Sequence, residues 1–75
     1  MNDTKAVADR FIDALQDAID FAKMDQHRLS VIAAMQAYRI ACDSGDIISC
    51  ADRRAAKKIA DKQASLLTRL LIGRR

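Results

Sequence analysis

The residues of this sequence that could act as a nucleophile or a general base are two cysteines and one histidine. Cys42 and Cys50 are the thiols, and His27 is the single histidine. Nucleophilic catalysis needs a nucleophile, a base and an orienting acid held together in a preformed cleft. Cys42 lies roughly four turns beyond His27 on the same expected helix, so the two side chains cannot meet. His27 is interpreted as a solvated residue in the first turn of that helix, and no catalytic residue is predicted.

Metal and cofactor sites lack suitable ligands in this sequence. All ten acidic residues are aspartate, whereas metal sites in helical bundles typically draw on glutamates and a Glu-x-x-His pair. Zinc requires about four ligands, which two cysteines eight residues apart and one histidine do not supply within one chain. Two glycines are too few for a glycine-rich phosphate loop. We therefore expect no metal, no cofactor and no enzymatic activity.

The two cysteines are expected to be reduced and buried. The amino terminus is polar and carries Asp3, where a secretory signal needs a basic start followed by an apolar run. No apolar stretch approaches the roughly 18 residues of a membrane span. Buried thiols in a cytoplasmic protein are the preferred interpretation, and a disulfide between Cys42 and Cys50 across a helical hairpin is the alternative.

Charge is divided unevenly along the chain. Residues 1–27 hold six acids and three bases, a net charge of −3, and residues 28–75 hold four acids and ten bases, a net charge of +6. At helical spacing four of the acids share one face of the first helix: Asp9, Asp13, Asp17 and Asp20. This acidic face is interpreted as a solvated surface. The alternative is docking on a basic partner or imitation of nucleic-acid phosphates, and the flanking Arg10 and Lys23 weaken the imitation.

Bases of the second half form a broad basic face on the third helix: Arg53, Arg54, Lys57, Lys58, Lys62 and Arg69, with Arg74 and Arg75 beyond. Such a face can lie along phosphates or along an acidic protein surface. Asp61 interrupts it, and no aromatic residues alternate with the bases for stacking on single strands. Three interpretations stay open: a solvated or self-paired face, an acidic protein partner, and nucleic acid. A helix-turn-helix fits poorly, because Asp46 follows the turn glycine and the helix after it is too long.

Apolar periodicity predicts three helices, at about residues 3–23, 26–43 and 47–72. Asp3 can cap the first helix, and Ser49 followed by Asp52 resembles a capping box for the third. Gly45 suits a left-handed end for the second helix. That helix is apolar nearly all round, so it must be covered on two sides. We therefore expect residues 1–75 to form one all-α domain, a three-helix antiparallel arrangement with the second helix at its centre.

The helix lengths predict an uncovered apolar segment. At 1.5 Å per residue the third helix spans roughly 36 Å and the second only about 25 Å, so about seven residues project past the hairpin. Such a patch normally marks an interface, and a chain of 75 residues with three aromatics has a thin core of its own. We expect a homodimer in which each overhang packs on the other chain. The dimer or partner interface is predicted at Ile59, Leu66, Leu67, Leu70, Leu71 and Ile72.

These features predict a small non-enzymatic regulator, adapter or inhibitor that binds another protein through helical surfaces as a homodimer. Its expected partners are a second copy and an unidentified protein target. The alternative is a nucleic-acid-binding regulator that uses the basic face. A basic amphipathic segment from Leu66 to Arg75 on an anionic membrane is a further interpretation. Helical dimer packing explains the same leucines without a lipid, so no membrane contact is expected.

Overall fold

The protein consists of three α-helices in the computed structural model, which describes the backbone of residues 2–73 and the side chains of residues 4–73. The helices are α1 (Asn2–Lys23), α2 (His27–Asp43) and α3 (Cys50–Gly73), and no strand occurs in the described backbone. The prediction of an all-α fold with three helices is confirmed. The cap predicted for α1 concerns the side chain of Asp3, which lies outside the described residues.

α3 begins at Cys50 rather than at the predicted residue 47, because the segment before it forms a turn. The backbone N–H groups of Ile47 and Ile48 donate to the carbonyl of Ser44 at 2.9 and 2.8 Å. Ile48 is buried in the core, which holds the turn in place. Ser49 then caps α3, since its Oγ accepts a hydrogen bond from the backbone N–H of Asp52 at 3.2 Å.

α2 lies between the other two helices and packs closely against both, whereas α1 and α3 barely touch each other. One core cluster joins Phe11 of α1 to Ala41 near the end of α2, and a second joins Ala18 to Ala33 nearer its start. This reversed order means that α1 and α2 run antiparallel. The predicted central position of α2 is confirmed.

Small side chains make up most of the core. Of the nine buried apolar residues within the described side chains, seven are alanines. Ser30 is the largest side chain with under 2% exposure, and its Oγ donates to the carbonyl of Ala18 at 2.6 Å. Alanine has no side chain beyond Cβ, so the helix backbones approach closely and α1 and α3 both fit against one side of α2.

The covering of α2 differs from the prediction of two covered sides. The residues of α2 that are buried recur every three or four positions and therefore share one side: Ser30, Ala33, Ala34, Ala37 and Ala41. The larger apolar side chains point outward instead, with Leu29, Ile32 and Met35 exposed by 43, 48 and 51%. The prediction was wrong here because both neighbouring helices occupy the alanine side and leave the other side open.

The turn between α1 and α2 places Asp25 in the left-handed conformation, with φ at 59°. The N–H of Gln26 donates to the carbonyl of Phe21 at 2.8 Å, and the N–H of Asp25 donates to that of Ala22 at 3.2 Å. These are the two hydrogen bonds of a Schellman motif, in which glycine usually holds the left-handed position. The left-handed end predicted at Gly45 is wrong, since no described glycine has a positive φ.

Replacing Asp25 with glycine is expected to raise the free energy of unfolding by about 1 kcal/mol. An L-residue is strained at this φ, and a carboxylate also faces the negative end of the α1 dipole. Urea denaturation followed by circular dichroism measures the change. The matched control is Gly45→Asp, at a position with open space around it, where we expect a change within about 0.5 kcal/mol. A fall in stability for Asp25→Gly contradicts the argument.

α3 outruns α2 at the end of the molecule where the α1–α2 turn lies. His27 at the start of α2 is hydrogen-bonded to Gln63 of α3, so α3 runs on for roughly 15 Å to its end at Gly73. The molecule is accordingly long, with Cα extents of 52 × 19 × 14 Å. Its radius of gyration is 13.3 Å, against about 11 Å for a compact domain of this length.

Candidate interaction surfaces

The buried side of α3 continues past the start of α2 as a row of leucines. Ala56, Ala60 and Gln63 are the buried residues of this helix, and helical spacing carries the same side on toward its end. We call the four residues of this continuation the C-terminal stripe: Leu66, Leu67, Leu70 and Leu71. Its first two residues are half-buried and exposure rises to 64% at Leu71, so the stripe emerges from the molecule as α3 projects.

The other two residues of the predicted interface lie elsewhere. Ile59 packs inside the molecule against the cluster around Ala18 and Ala60. Ile72 is 64% exposed, but at 100° per residue it lies on a different side of α3 from Leu70 and Leu71. The C-terminal stripe is therefore the apolar part of the predicted set that one partner surface could cover.

A second uncovered apolar surface, which the sequence did not single out as a site, follows the side of α2 away from α1 and α3. It includes a shallow depression of about 560 Å³ lined by residues of α2 alone: Val31, Ile32, Met35, Gln36, Tyr38, Arg39 and Cys42. Together with the exposed residues Arg28, Leu29 and Asp43, these residues form what we call the α2 outer face, with Val31 and Tyr38 half-buried at its edge. Contiguous exposed apolar surface of this kind normally marks an interaction site.

The signal that could have identified the α2 outer face is present in the sequence. Residues alternate by four and three along it, the spacing of a coiled-coil seam: Arg28, Ile32, Met35, Arg39 and Cys42. The exposed Leu29, Ile32 and Met35 fall on this side and the buried alanines on the other, whereas Tyr38 and Ile40 pack against the core. Because alanine faces favour close packing of helices within a chain, the alanine side of α2 was the one to expect inside the molecule. The opposite side was then the one to expect uncovered.

Both cysteines are exposed and free, which overturns the prediction of buried thiols. Cys42 belongs to the apolar side of α2 that is uncovered, so its apolar surroundings in the sequence did not imply burial. Cys50 is the first residue of α3, and a guanidinium nitrogen of Arg53 lies 3.9 Å from its Sγ. The two thiols are therefore accessible to labelling reagents.

His27 is half-buried and is not the solvated residue that was predicted. Its Nδ1 lies 2.6 Å from Oε1 of Gln63, and Gln63 is itself only 6% exposed. Because an amide oxygen only accepts, Nδ1 carries the proton in this pair. The pair ties the start of α2 to α3, so the single histidine of the chain positions helices.

The predicted acidic face lies on the outside of α1. Asp9, Asp13, Asp17 and Asp20 are all exposed and occupy the side of the helix opposite its buried residues. Asp20 accepts a hydrogen bond from the side-chain amide of Gln16 at 3.0 Å. The carboxylates face solvent together.

The predicted basic face lies on the outside of α3. Arg54, Lys58, Lys62 and Arg69 fall opposite the buried residues of the helix and are exposed, and Lys57 is exposed at the edge. Arg53 is half-buried beside Cys50. Because α1 and α3 barely touch, the acidic face of a chain does not cover its own basic face. Arg74 and Arg75, the predicted extension of the face, lie outside the described residues.

In the described part of the chain, no group of three histidine, cysteine or aspartate side chains is placed to hold a metal ion. None of the three helices, over the residues described, combines the length and the apolar character needed to cross a bilayer. The features that stand out are therefore surfaces, two apolar and two charged.

Seven of the nine buried apolar residues in the described part of the chain are alanines, with Phe11 and Ile48 as the two large ones, while eight large apolar side chains are exposed. A surplus of exposed large apolar side chains is typical of a chain that packs against other molecules. No protein-family model, no curated protein and no solved structure matches this chain.

Proposed function

We propose that this protein is a small non-enzymatic regulator that works as a homodimer and binds another protein through the C-terminal stripe. Its action is to occupy a surface of the target. The observation that carries the proposal is the large solvent-accessible surface area of the single chain.

The accessible surface of the chain is 5660 Å². Folded monomers of the same 8.3 kDa mass expose about 4,600 Å². The excess is about 1,100 Å², and a standard protein–protein interface buries about 800 Å² on each partner. The excess therefore matches what one or two contacts with other chains would cover.

The C-terminal stripe suits a groove on a different protein. It presents leucines at helical spacing on a projecting helix, which is the pattern by which an amphipathic helix enters an apolar groove. After Asp61 the chain holds four bases and no acid. Pairing two copies of this end brings like charges together, whereas a target with an acidic rim neutralises them. The homodimer contact predicted through α3 is therefore less favourable than the use of α3 for a foreign target.

Capture of the target tests the proposal. Wild-type protein immobilised on beads is expected to retain a protein from a lysate of the source cell, identified by mass spectrometry, and a Leu70→Asp/Leu71→Asp variant is expected to lose it. Ile72→Asp is the matched control, because Ile72 is as exposed as Leu71 but lies on another side of α3. Equal capture by all three forms contradicts a role for the stripe.

A nucleic-acid-binding regulator is the second candidate, favoured by the four bases aligned on the outside of α3. Binding of this kind through four to six phosphate contacts weakens roughly a hundredfold or more between 50 and 200 mM salt. If the protein-binding proposal is correct, we expect no salt-sensitive gel shift of DNA or RNA by this protein. If a salt-sensitive shift appears and the glutamine variant at Arg54, Lys57, Lys58 and Lys62 loses it with helical content intact, the nucleic-acid function replaces the first proposal.

A further inference from the structure

The charges of α2 are placed against its own helix dipole. Arg28 lies in the first turn of α2 and Asp43 is its last residue, whereas a helix favours acids at its start and bases at its end. α2 has no acid in its first turn and no base in its last. Both residues therefore cost α2 some stability in the isolated chain, and such departures from local preference concentrate at functional positions.

The same two charges lie at opposite ends of the α2 outer face. Their midpoint along the helix falls between Met35 and Gln36, in the middle of the exposed apolar row that also holds Ile32. In an antiparallel pair of identical helices centred there, Arg28 of each copy lies beside Asp43 of the other. In a parallel pair each residue would oppose itself, so that Arg28 meets Arg28 and Asp43 meets Asp43.

We propose that the α2 outer faces of two copies pack antiparallel about a two-fold axis that passes between Met35 and Gln36. This rests on the homodimer of the proposed function and assigns its contact surface. Each Arg28 then meets both an aspartate and the negative end of a helix dipole on the other copy, so the charges that are unfavourable within one chain become favourable in the pair.

The remaining positions of this pairing are compatible with it. Ile32 lies opposite Arg39 of the second copy, whose aliphatic stem can cover the isoleucine while the guanidinium reaches solvent. Leu29 lies opposite Cys42, and Met35 meets the centre of the other helix. The C-terminal stripes, the acidic faces and the basic faces of both copies stay outside the contact, so the dimer presents two identical binding surfaces to a target.

Disulfide trapping tests the geometry. In a Cys42→Ser/Cys50→Ser background, Met35→Cys is expected to form a covalent dimer under mild oxidation, because a disulfide needs Cα atoms within about 7 Å. The chain that keeps Cys42 and carries only Cys50→Ser is expected not to cross-link, since the two Cys42 residues would lie roughly 20 Å apart. Cross-linking through Cys42 overturns the antiparallel register. If Leu70→Cys cross-links and Met35→Cys does not, the dimer contact lies on α3 and the proposed α2 contact is wrong.

Charge exchange tests the pairing without disturbing the fold. Arg28→Asp and Asp43→Arg are each expected to weaken dimerisation about tenfold in sedimentation, although each improves the match to the α2 dipole and so does not unfold the chain. The double variant restores both ion pairs but not the dipole contacts, and it is expected to recover most of the affinity that the single variants lose. If the double variant is as weak as the single ones, the pairing is wrong.

The outcomes separate this inference from the proposed function. If the protein still dimerises in all three charge variants and is cross-linked through Leu70→Cys, the homodimer is supported but its contact does not lie on α2. If the wild-type chain is monomeric, both the homodimer and the α2 contact are wrong. Trapping through Met35→Cys with recovery in the double charge variant supports the inference, whichever target the C-terminal stripe binds.

Discussion

Replacing Ala34 with leucine is expected to lower the free energy of unfolding by about 3 kcal/mol or more. Ala34 has no exposed surface and shares its cluster with Ala18, Ala33 and Ala60 from all three helices. Three added carbons have no space between backbones this close, so the helices must separate or the side chain must leave its rotamer. A domain of 75 residues has a total stability of about 4–11 kcal/mol, so this single change removes a large fraction of it.

Thermal and urea denaturation at a fixed protein concentration measure the loss, since dimerisation makes stability depend on concentration. The control is Ala55→Leu, at an exposed position of α3, where the change should stay within about 0.5 kcal/mol. Equal effects of the two substitutions would mean that the alanine core is not closely packed. The fold would then need another source of stability.

Placing aspartate at both Ile32 and Met35 is expected to weaken self-association at least a hundredfold. Burying a large apolar side chain contributes about 1.5–3 kcal/mol, and the two-fold axis makes each substitution act twice. The two aspartates at position 35 also repel each other across the axis. Since both side chains are about half exposed in the single chain, its helical content should persist, which circular dichroism checks.

The control for this pair is Ile12→Asp. Ile12 is 58% exposed on α1, away from the α2 outer face, and its replacement should leave the dissociation constant unchanged within about threefold. A Met35 and Ile32 variant that still dimerises as tightly as the wild type would exclude α2 from the contact. Weaker dimerisation of the Ile12→Asp variant would indicate that α1 forms the contact instead.

The helices could be predicted from the sequence because their signals are local. The spacing of Phe11, Ala18 and their neighbours specifies one side of α1, and Ser49 caps α3 through a hydrogen bond three residues away. Predictions of this kind need no knowledge of which helix packs where. The overhang of α3 follows from the fixed rise per residue once α2 and α3 are taken to pack antiparallel.

What could not be predicted depends on which side of each helix its neighbours occupy. Apolar periodicity alone marks both sides of α2 as apolar, and only the size difference between the alanine side and the side of Ile32 and Met35 distinguishes them. The burial wrongly expected for Cys42 follows from treating the two sides alike. His27 is hydrogen-bonded to Gln63, which lies 36 residues further along the chain. Local sequence patterns do not predict a contact between residues so far apart in sequence.

Sedimentation equilibrium of the wild-type chain at low micromolar concentration tests the central claim most directly. The claim is that the large apolar side chains on the outside of this molecule are covered by other chains, first of all by a second copy. It predicts a single species of twice the 8.3 kDa chain mass. A species of 8.3 kDa that persists up to the highest protein concentrations in the centrifuge cell would contradict it.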